Sequence, residues 1–501
     1  MFNWKKKKIV VGIGKACHDC SIAVSVNGRF YKYLKYERDK NEKQISAPEW
    51  WFYKKLIDWG IKLEDVDLFV MTDSGQWREQ HQVPLFPHDD TLYWLREKDF
   101  YNSKQILLDH HNAHAWSNMS FSEDKQFVVI DGEGSNSNKA TTYDTIEFRR
   151  YKDVTPGGIY IWLDDAMQLH NNRHGNSSGK IMGLMQYGKR IDSLFERLME
   201  SDQSEYINYL RWFIKTCYHN KTPTNPEWQN FLKTIDDVCW ELIKRYFEPM
   251  DKEKEIIYSG GCALNIEWNR RLLDMGYKLN IEPPAYDGGL SLGCVRFGNR
   301  FLNYKDPKPF ENYPYIQDDV GPKSMASSQT INKVAKLLAD GKIVGWYQGQ
   351  GEVGPRALGN RSILMDPRIK DGKDILNQKV KHREWWRPYG ASVKEDKAYK
   401  YFDLKKSPYM LYTSKVKTPE LLPAITHIDG SCRHQTVSCS QNPVFYKLLD
   451  SFEKITKLPV LLNTSLNEGG KPIANKPEQA LDLLKNSEMD AICIGNKIYE
   501  F

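Results

Sequence analysis

The chain has 501 residues, a length that suits about two or three domains. Hydrophobic residues make up 40%, the net charge is +6, and no apolar run reaches the ~18–20 residues of a membrane helix. The start, Met1 to Lys8, lacks the apolar core of a secretion signal, and nine scattered cysteines fit a reducing compartment, so a cytoplasmic protein with no membrane partner is expected.

Ile9 to Gly14 reads as a first strand ending in glycine. Ile22–Val26 and Phe30–Leu34 flank Asn27-Gly28, and both turn residues tolerate the left-handed backbone of a tight hairpin. Phe127–Asp131, Gly132-Glu133-Gly134-Ser135 and Ala140–Tyr143 repeat that strand, polar turn and strand. Two such units predict a duplicated fold of actin or sugar-kinase type, whose turns can hold anions on backbone N–H groups. Trp228 to Tyr246 carries apolar residues at helical spacing. Ile256–Ser259 is a short strand before Gly260-Gly261, with a helix expected from Ala263. Residues 304–328, with their prolines and charges, are the expected linker. Beyond it a second α/β pattern is expected, with a helix at Ile331–Leu338 and strands at Ile343–Tyr347 and Leu458–Leu462. The predicted domains are therefore 1–303 and 329–501.

Asp109-His110-His111-Asn112-Ala113-His114-Ala115 is the densest local signal. On a helix His110 and His114 share one face and can hold one metal, the alternative being histidines satisfied within the fold. Asp131 and Asp287 are the best candidates to complete the set. Two imidazoles and two carboxylates suit Fe(II), Mn(II) or Zn(II), with Fe(II) favoured and Mg(II) also considered. Such an ion would offset the charge of nucleotide phosphates.

Ser259–Asn265 and Asp287-Gly288-Gly289 have the look of nucleotide loops, as does the run from Ser178 through Lys180 to Gly188. None fits the P-loop pattern. The second region is rich in cations: Arg356 and Arg361 in Gly354–Ser362, then Lys381, Arg383 and Arg387 in Lys381–Pro388, then His427 and Arg433. With Ser465 and Asn467 they form a receptor for a phosphate or a mixed anhydride, against the plainer reading of a solvated surface. Cys17 and Cys20 form a C-x-x-C, but His18-Asp19 between them belongs to a different motif, so redox chemistry is disfavoured. No G-x-S-x-G and no papain-like cysteine motif is present, so catalysis by positioning, electrostatics and one general base is expected.

These motifs, from His18-Asp19-Cys20-Ser21 and Glu37-Arg38 to Leu462-Asn463-Thr464-Ser465, together resemble the family of nodulation-factor and antibiotic O-carbamoyltransferases. The resemblance implies an actin-like ATPase domain, as in tRNA threonylcarbamoyltransferases, followed by a YrdC-like α/β domain. It implies ATP and carbamoyl phosphate as substrates, carbamoyl-adenylate as intermediate, and a hydroxyl acceptor. Carried over, His110, His114, Asp131 and Asp287 bind the metal, and Gly132, Lys180, Gly260, Gly261, Asn265 and Gly288 hold the nucleotide. Arg356, Arg361, Lys381, Arg383, Arg387, His427, Arg433, Ser465 and Asn467 bind carbamoyl phosphate or ATP phosphates. His18 is the expected base, with Asp19 beside it. Cys20, Cys262, Trp386 and Gly390-Ala391 depart from the family pattern. The basic balance and the many Trp and Tyr lean the acceptor toward hydroxymethylcytosine in DNA, as in branches of phage type. A sugar or antibiotic hydroxyl and an enzyme of tRNA threonylcarbamoylation are the rivals, and the assembly allows for a homodimer.

Overall fold

The computed structural model describes residues 7–16, 18–43, 45–72, 104–122, 124–132, 134, 137–153, 155–167, 177–201, 206–217, 222–304, 312–318 and 320–500. Cys17, Glu133, Ser135 and residues 305–311 of the expected linker lie outside them. The chain divides into two compact units. The first comprises Met1–Gly158, Leu242–Leu264 and Leu272–Asp318, and the second Ile159–Glu241, Asn265–Arg271 and Asp319–Phe501.

The first unit holds two five-stranded sheets of the same topology. Strands β1 (Ile9–Gly14), β2 (Ser21–Val26), β3 (Arg29–Lys35), β4 (Leu68–Thr72) and β5 (Lys104–Leu108) lie in the order β3-β2-β1-β4-β5. Strands β6 (Gln126–Ile130), β7 (Ala140–Tyr143), β8 (Phe148–Tyr151), β9 (Glu255–Ser259) and β10 (Lys278–Asn280) lie in the order β10-β9-β6-β7-β8. In each sheet the first strand pairs antiparallel with the second and parallel with the fourth. This is the expected duplication. The hairpin forms at the Asn-Gly pair, with φ of 52° at Asn27 and 73° at Gly28. Residues of both sheets share one core with two helices: Val10, Val70 and Leu108 meet Phe127, Val129 and Ile257 around Trp116, Leu290 and Phe297.

Those helices are His110–Ser117 and Leu290–Phe301. They approach so closely that a Cβ on Gly293 would lie 1.9 Å from the Ala113 carbonyl oxygen. Residues Leu290 to Asn299 are all buried. Buried Arg296 donates to the carbonyls of Trp116, Asn118 and Phe121, closing the C-terminal end of the shorter helix.

In the second unit one sheet collects β11 (Val344–Tyr347), β12 (Arg361–Met365), β13 (Gly390–Lys394), β14 (Ser414–Lys415), β15 (Ser431–Val437), β16 (Val460–Ser465), β17 (Ala491–Ile494) and β18 (Lys497–Glu500). Their order is β14-β15-β13-β16-β12-β11-β17-β18. The helices Ser328–Ala339 and Pro443–Thr456 cover it with Val334, Leu338, Leu448 and Phe452 in its core.

The last division between the units, at Asp318 and Asp319, falls inside the expected 304–328 boundary, while residues 159–241 and 265–271 also cluster with the C-terminal part. Buried hydrogen bonds within that unit give the reason. The Tyr160 hydroxyl and the Trp268 indole both donate to Asp236, and Asn269 donates to the Leu411 carbonyl. The helix expected from Ala263 begins instead at Ile266, after a tighter turn over Gly261–Leu264.

Gly293→Ala should cost about 1–3 kcal/mol of stability, the usual penalty of overpacking. Urea unfolding of the variant measures this, and an unchanged midpoint would mean that the two helices separate freely.

Candidate functional site

The helix His110–Ser117 starts on Asp109, whose carboxylate accepts the Asn112 N–H at 3.0 Å. One turn of helix then directs His110 and His114 to the same point. Asp131 arrives from the end of β6 and Asp287 from the turn Asp287–Gly289 that follows β10. Both Nε2 atoms lie 3.1 Å from Asp131 Oδ2. They lie 3.4 and 3.3 Å from Asp287 Oδ1, and 3.1 Å from each other. Four ligands about 2.0–2.1 Å from a tetrahedral ion stand ~3.3–3.4 Å apart. The five separations that involve a histidine lie near that spacing, and all four donors lie within 4.8 Å of one another.

The electrostatics agree. Burial alone would lower the pKa of His110, yet hydrogen bonds to Asp131 and Asp287 hold it well above the ordinary value. His114 is raised for the same reason. Burial works against the charge of Asp131 as well, and the two imidazoles hold it well below the carboxylate range. Asp287 is lowered too, against burial and the neighbouring Asp131. Two carboxylates and two imidazoles thus stay together only with a shared positive charge, from protons or from a metal.

Asp131 divides its oxygens. Oδ2 faces the histidines, while Oδ1 accepts the Gly132 N–H at 2.8 Å and the Gly261 N–H at 3.2 Å. Gly260 is in left-handed backbone (φ 90°), and a Cβ there would lie 2.2 Å from the Ile130 carbonyl oxygen. Gly260 donates to the Ala285 carbonyl at 2.7 Å, and the Gly288 carbonyl accepts from the Tyr33 hydroxyl at 2.7 Å. His111, between the metal candidates, is kept neutral by burial, with its pKa pushed down to about 3.

His18 Nδ1 lies 2.8 Å from Asp19 Oδ2, so Nε2 is the nitrogen turned away from that pair. Lys35 was not foreseen. It is buried and donates to Asp19, to Glu37 at 2.7 Å and to the Tyr286 hydroxyl at 2.9 Å. The hydrogen bond to Asp19 raises the His18 pKa to about 9, opposed by burial and helped by the charges of Asp287 and Asp131. Cys20 is a buried thiol hydrogen-bonded to the Ala16 carbonyl, a packing role.

The second unit gathers cations. Arg356 and Arg383 are each pushed down to about 10, first by burial and then by neighbouring arginines. Arg433 is driven well below its ordinary value by burial, Arg356 and Arg387. Arginine does not release its proton in proteins, so its charged form bears both the desolvation and the repulsion between arginines, and an anion would relieve them. Lys381 donates to the Ser465 carbonyl at 2.9 Å and to Asn467 Oδ1 at 2.8 Å, shaping that loop. Glu384 pairs with Lys180 at 2.6 Å and with Arg387 at 3.4 Å. His427 Nε2 is 3.4 Å from the Trp386 carbonyl, and Nδ1 is 3.5 Å from Asp429.

Two expected ligands have other tasks. Arg361 is fully buried, donates to the carbonyls of Gln348, Asn360 and Gly349, and lies 3.6 Å over the Tyr347 ring. Asn265 caps the helix Ile266–Asp274 by accepting the N–H groups of Glu267 and Trp268. Glu352 was missed. Its buried carboxylate follows Gly351 and precedes the Gly-Pro-Arg run, the only hint the sequence offers.

Residues 84–295 match the carbamoyltransferase N-terminus and residues 335–500 the carbamoyltransferase C-terminus. The chain belongs to the carbamoyltransferase family. Among its relatives, nodulation protein NolO of Bradyrhizobium diazoefficiens is 35% identical over 77% of this chain and 78% of that protein. The 3'-hydroxymethylcephem-O-carbamoyltransferase of Amycolatopsis lactamdurans is 28% identical over 65% of each chain. Nodulation protein NolNO of Sinorhizobium fredii is 29% identical, and this chain spans 64% of its length. Among solved structures, component A of the Acidaminococcus fermentans (R)-2-hydroxyglutaryl-CoA dehydratase aligns over 60% of this chain and all of its own, with 11% identity and TM-score 0.39. T. kodakarensis HypF aligns over 59% of this chain and 48% of its own, with 12% identity and TM-score 0.35. At such scores the fold assignment rests on strand order. Among the described residues no helix is long and apolar enough to cross a membrane.

Purified protein should carry about one divalent transition metal per chain, and His114→Ala should lose it. Acid should weaken metal binding, because His110 and His114 take up protons as pH falls through their raised pKa values. Elemental analysis across pH tests both, and unchanged metal in His114→Ala would remove the assignment.

Proposed function

We propose that this carbamoyltransferase is ATP-dependent and acts in two half-reactions. Water hydrolyses carbamoyl phosphate to carbamate and inorganic phosphate, and a carbamate oxygen then attacks the α-phosphorus of ATP, expelling pyrophosphate and forming carbamoyl-adenylate. An acceptor hydroxyl then attacks the carbamoyl carbon, its proton passes to a base, and AMP leaves. The observation that carries this reading is the pair of opposite charge environments in a chain of this family: a half-buried arginine set, and a two-histidine, two-aspartate cluster beside glycine loops.

Within the reading the arginine set in the second unit receives carbamoyl phosphate and ATP phosphates, and the first unit, of actin-like ATPase topology, carries out transfer. His110, His114, Asp131 and Asp287 would hold a metal, which would supply fixed positive charge to offset the negative charge of phosphate. Gly132, Gly260, Gly261 and Gly288 allow a nucleotide close approach to backbone. His18 takes the acceptor proton at Nε2, with Asp19 orienting the ring and Lys35 orienting Asp19. The resemblance also makes the second unit YrdC-like, and Lys180 is then held by Glu384 until phosphate competes for it.

Arg387→Ala should abolish pyrophosphate release from ATP and carbamoyl phosphate without acceptor. His18→Ala should keep that release and lose transfer. The free base of His18 grows as pH rises through about 9, so wild-type transfer should climb in that range and the climb should vanish in the variant. Loss of pyrophosphate release in His18→Ala would exclude its acceptor-side role.

For the acceptor we favour a hydroxymethylated pyrimidine of DNA over a sugar or antibiotic hydroxyl. The net charge of +6 and the 15 Trp and 28 Tyr support phosphate contact and base stacking. Nucleoside mass analysis should find a carbamoylated base after incubation with 5-hydroxymethylcytosine DNA. Subsaturating activity should fall steeply with salt, as counterion release requires. Turnover of a sugar hydroxyl alone, insensitive to salt, would reject DNA and keep the transferase chemistry.

A further inference from the structure

Mutually repelling guanidiniums make a useful receptor only if their backbone is held before the anion arrives. The turn that carries Arg356 is held in an unusual way. Glu352 is 0% exposed, and its Oε1 accepts three backbone N–H groups: Leu358 and Asn360 at 2.8 Å, and Arg361 at 3.1 Å. The carbonyls of the same turn are taken from the sheet. Gln435 Nε2 donates to the Leu358 carbonyl at 2.8 Å, and Asn463 Nδ2 donates to the Ala357 carbonyl at 3.3 Å.

The two amides are themselves locked together. Asn463 Nδ2 donates to Ser392 Oγ at 2.8 Å, and Ser392 Oγ donates to Gln435 Oε1 at 2.8 Å. Ser392 and Gln435 are register partners across β13 and β15, and Asn463 pairs with Gly390 on β16, so adjacent strands set all three side chains. The turn needs such help. Gly359 sits at φ 105°, and a Cβ there would lie 2.2 Å from the Phe445 ring. Neither the carboxylate nor the amides carry the positive charge an anion requires. They bond backbone atoms of residues 357–361, the stretch that directly follows the residue that does.

We propose that Glu352, Gln435 and Asn463 form a positioning clamp that fixes the Arg356 turn in its anion-binding geometry. The clamp rests on the reading of the arginine set as the carbamoyl phosphate site. It works through Arg356, so its loss weakens donor binding and leaves the metal cluster untouched. Glu352→Gln keeps the side-chain carbonyl that accepts the three N–H groups, while Glu352→Ala leaves them without a partner.

The test is pyrophosphate release by the full chain from ATP and carbamoyl phosphate, without acceptor. Glu352→Ala should raise KM for carbamoyl phosphate about tenfold or more, and Glu352→Gln should stay within about threefold of wild type. Arg356→Ala and the Glu352→Ala/Arg356→Ala double variant should be alike, because the clamp has nothing left to act through. Multiplying effects in that cycle would make Glu352 a general structural residue and overturn the proposal, as would wild-type KM in Glu352→Ala. Should Glu352→Ala not fold, Gln435→Ala, which removes one carbonyl anchor, should raise KM in the same direction, and an unchanged KM there would sink the clamp. No pyrophosphate from wild type would instead overturn the donor-site reading itself.

Discussion

Two carboxylates, Asp131 and Asp287, face two imidazoles at one buried point, and the arrangement persists only if positive charge is shared among them. Much of the first unit follows from that constraint. Asp131 must end β6 and Asp287 must open a turn after β10, while the helix His110–Ser117 must present one face to both. The helix is fixed at its start by Asp109 and at its end by Arg296, and Gly293 lets a second helix press against its middle. Asp131 then passes the same constraint to the loops, since its other oxygen holds the amides of Gly132 and Gly261.

The second unit meets the inverse problem. Arg356, Arg383 and Arg433 are half-buried among like charges, with Glu384 beside Arg387 as a counter-charge. A receptor of this kind holds strong positive potential in the free state, and neutral or backbone-directed groups keep it from rearranging.

Much of this was legible in the sequence because it is local. Short apolar runs gave the strands, Asn27-Gly28 gave the hairpin, and the four-residue step gave the paired histidines. What escaped was set by distant contacts. Lys35 and Glu352 look like ordinary surface charges until burial joins them to Asp19, Tyr286 or three backbone amides. Arg361 and Asn265 sit inside ligand-like motifs, yet packing against Tyr347 and the start of a helix decides their tasks. Nor does chain order reveal that residues 159–241 pack with the C-terminal part, because an amphipathic helix states that it has a partner and not which one.

The repeated strand order in the first unit carries a further meaning. β1 and β6 are counterparts, each flanked by one antiparallel and one parallel neighbour. The turn after β1 bears the His18–Asp19 pair, whereas the turn after β6 begins with Asp131, which faces two histidines. Two identical halves related by an exact twofold would be forced to present the same turn twice. Fusion into a single chain removes that symmetry requirement, so each copy can diverge alone, one keeping a His–Asp pair and the other a carboxylate shared by two imidazoles.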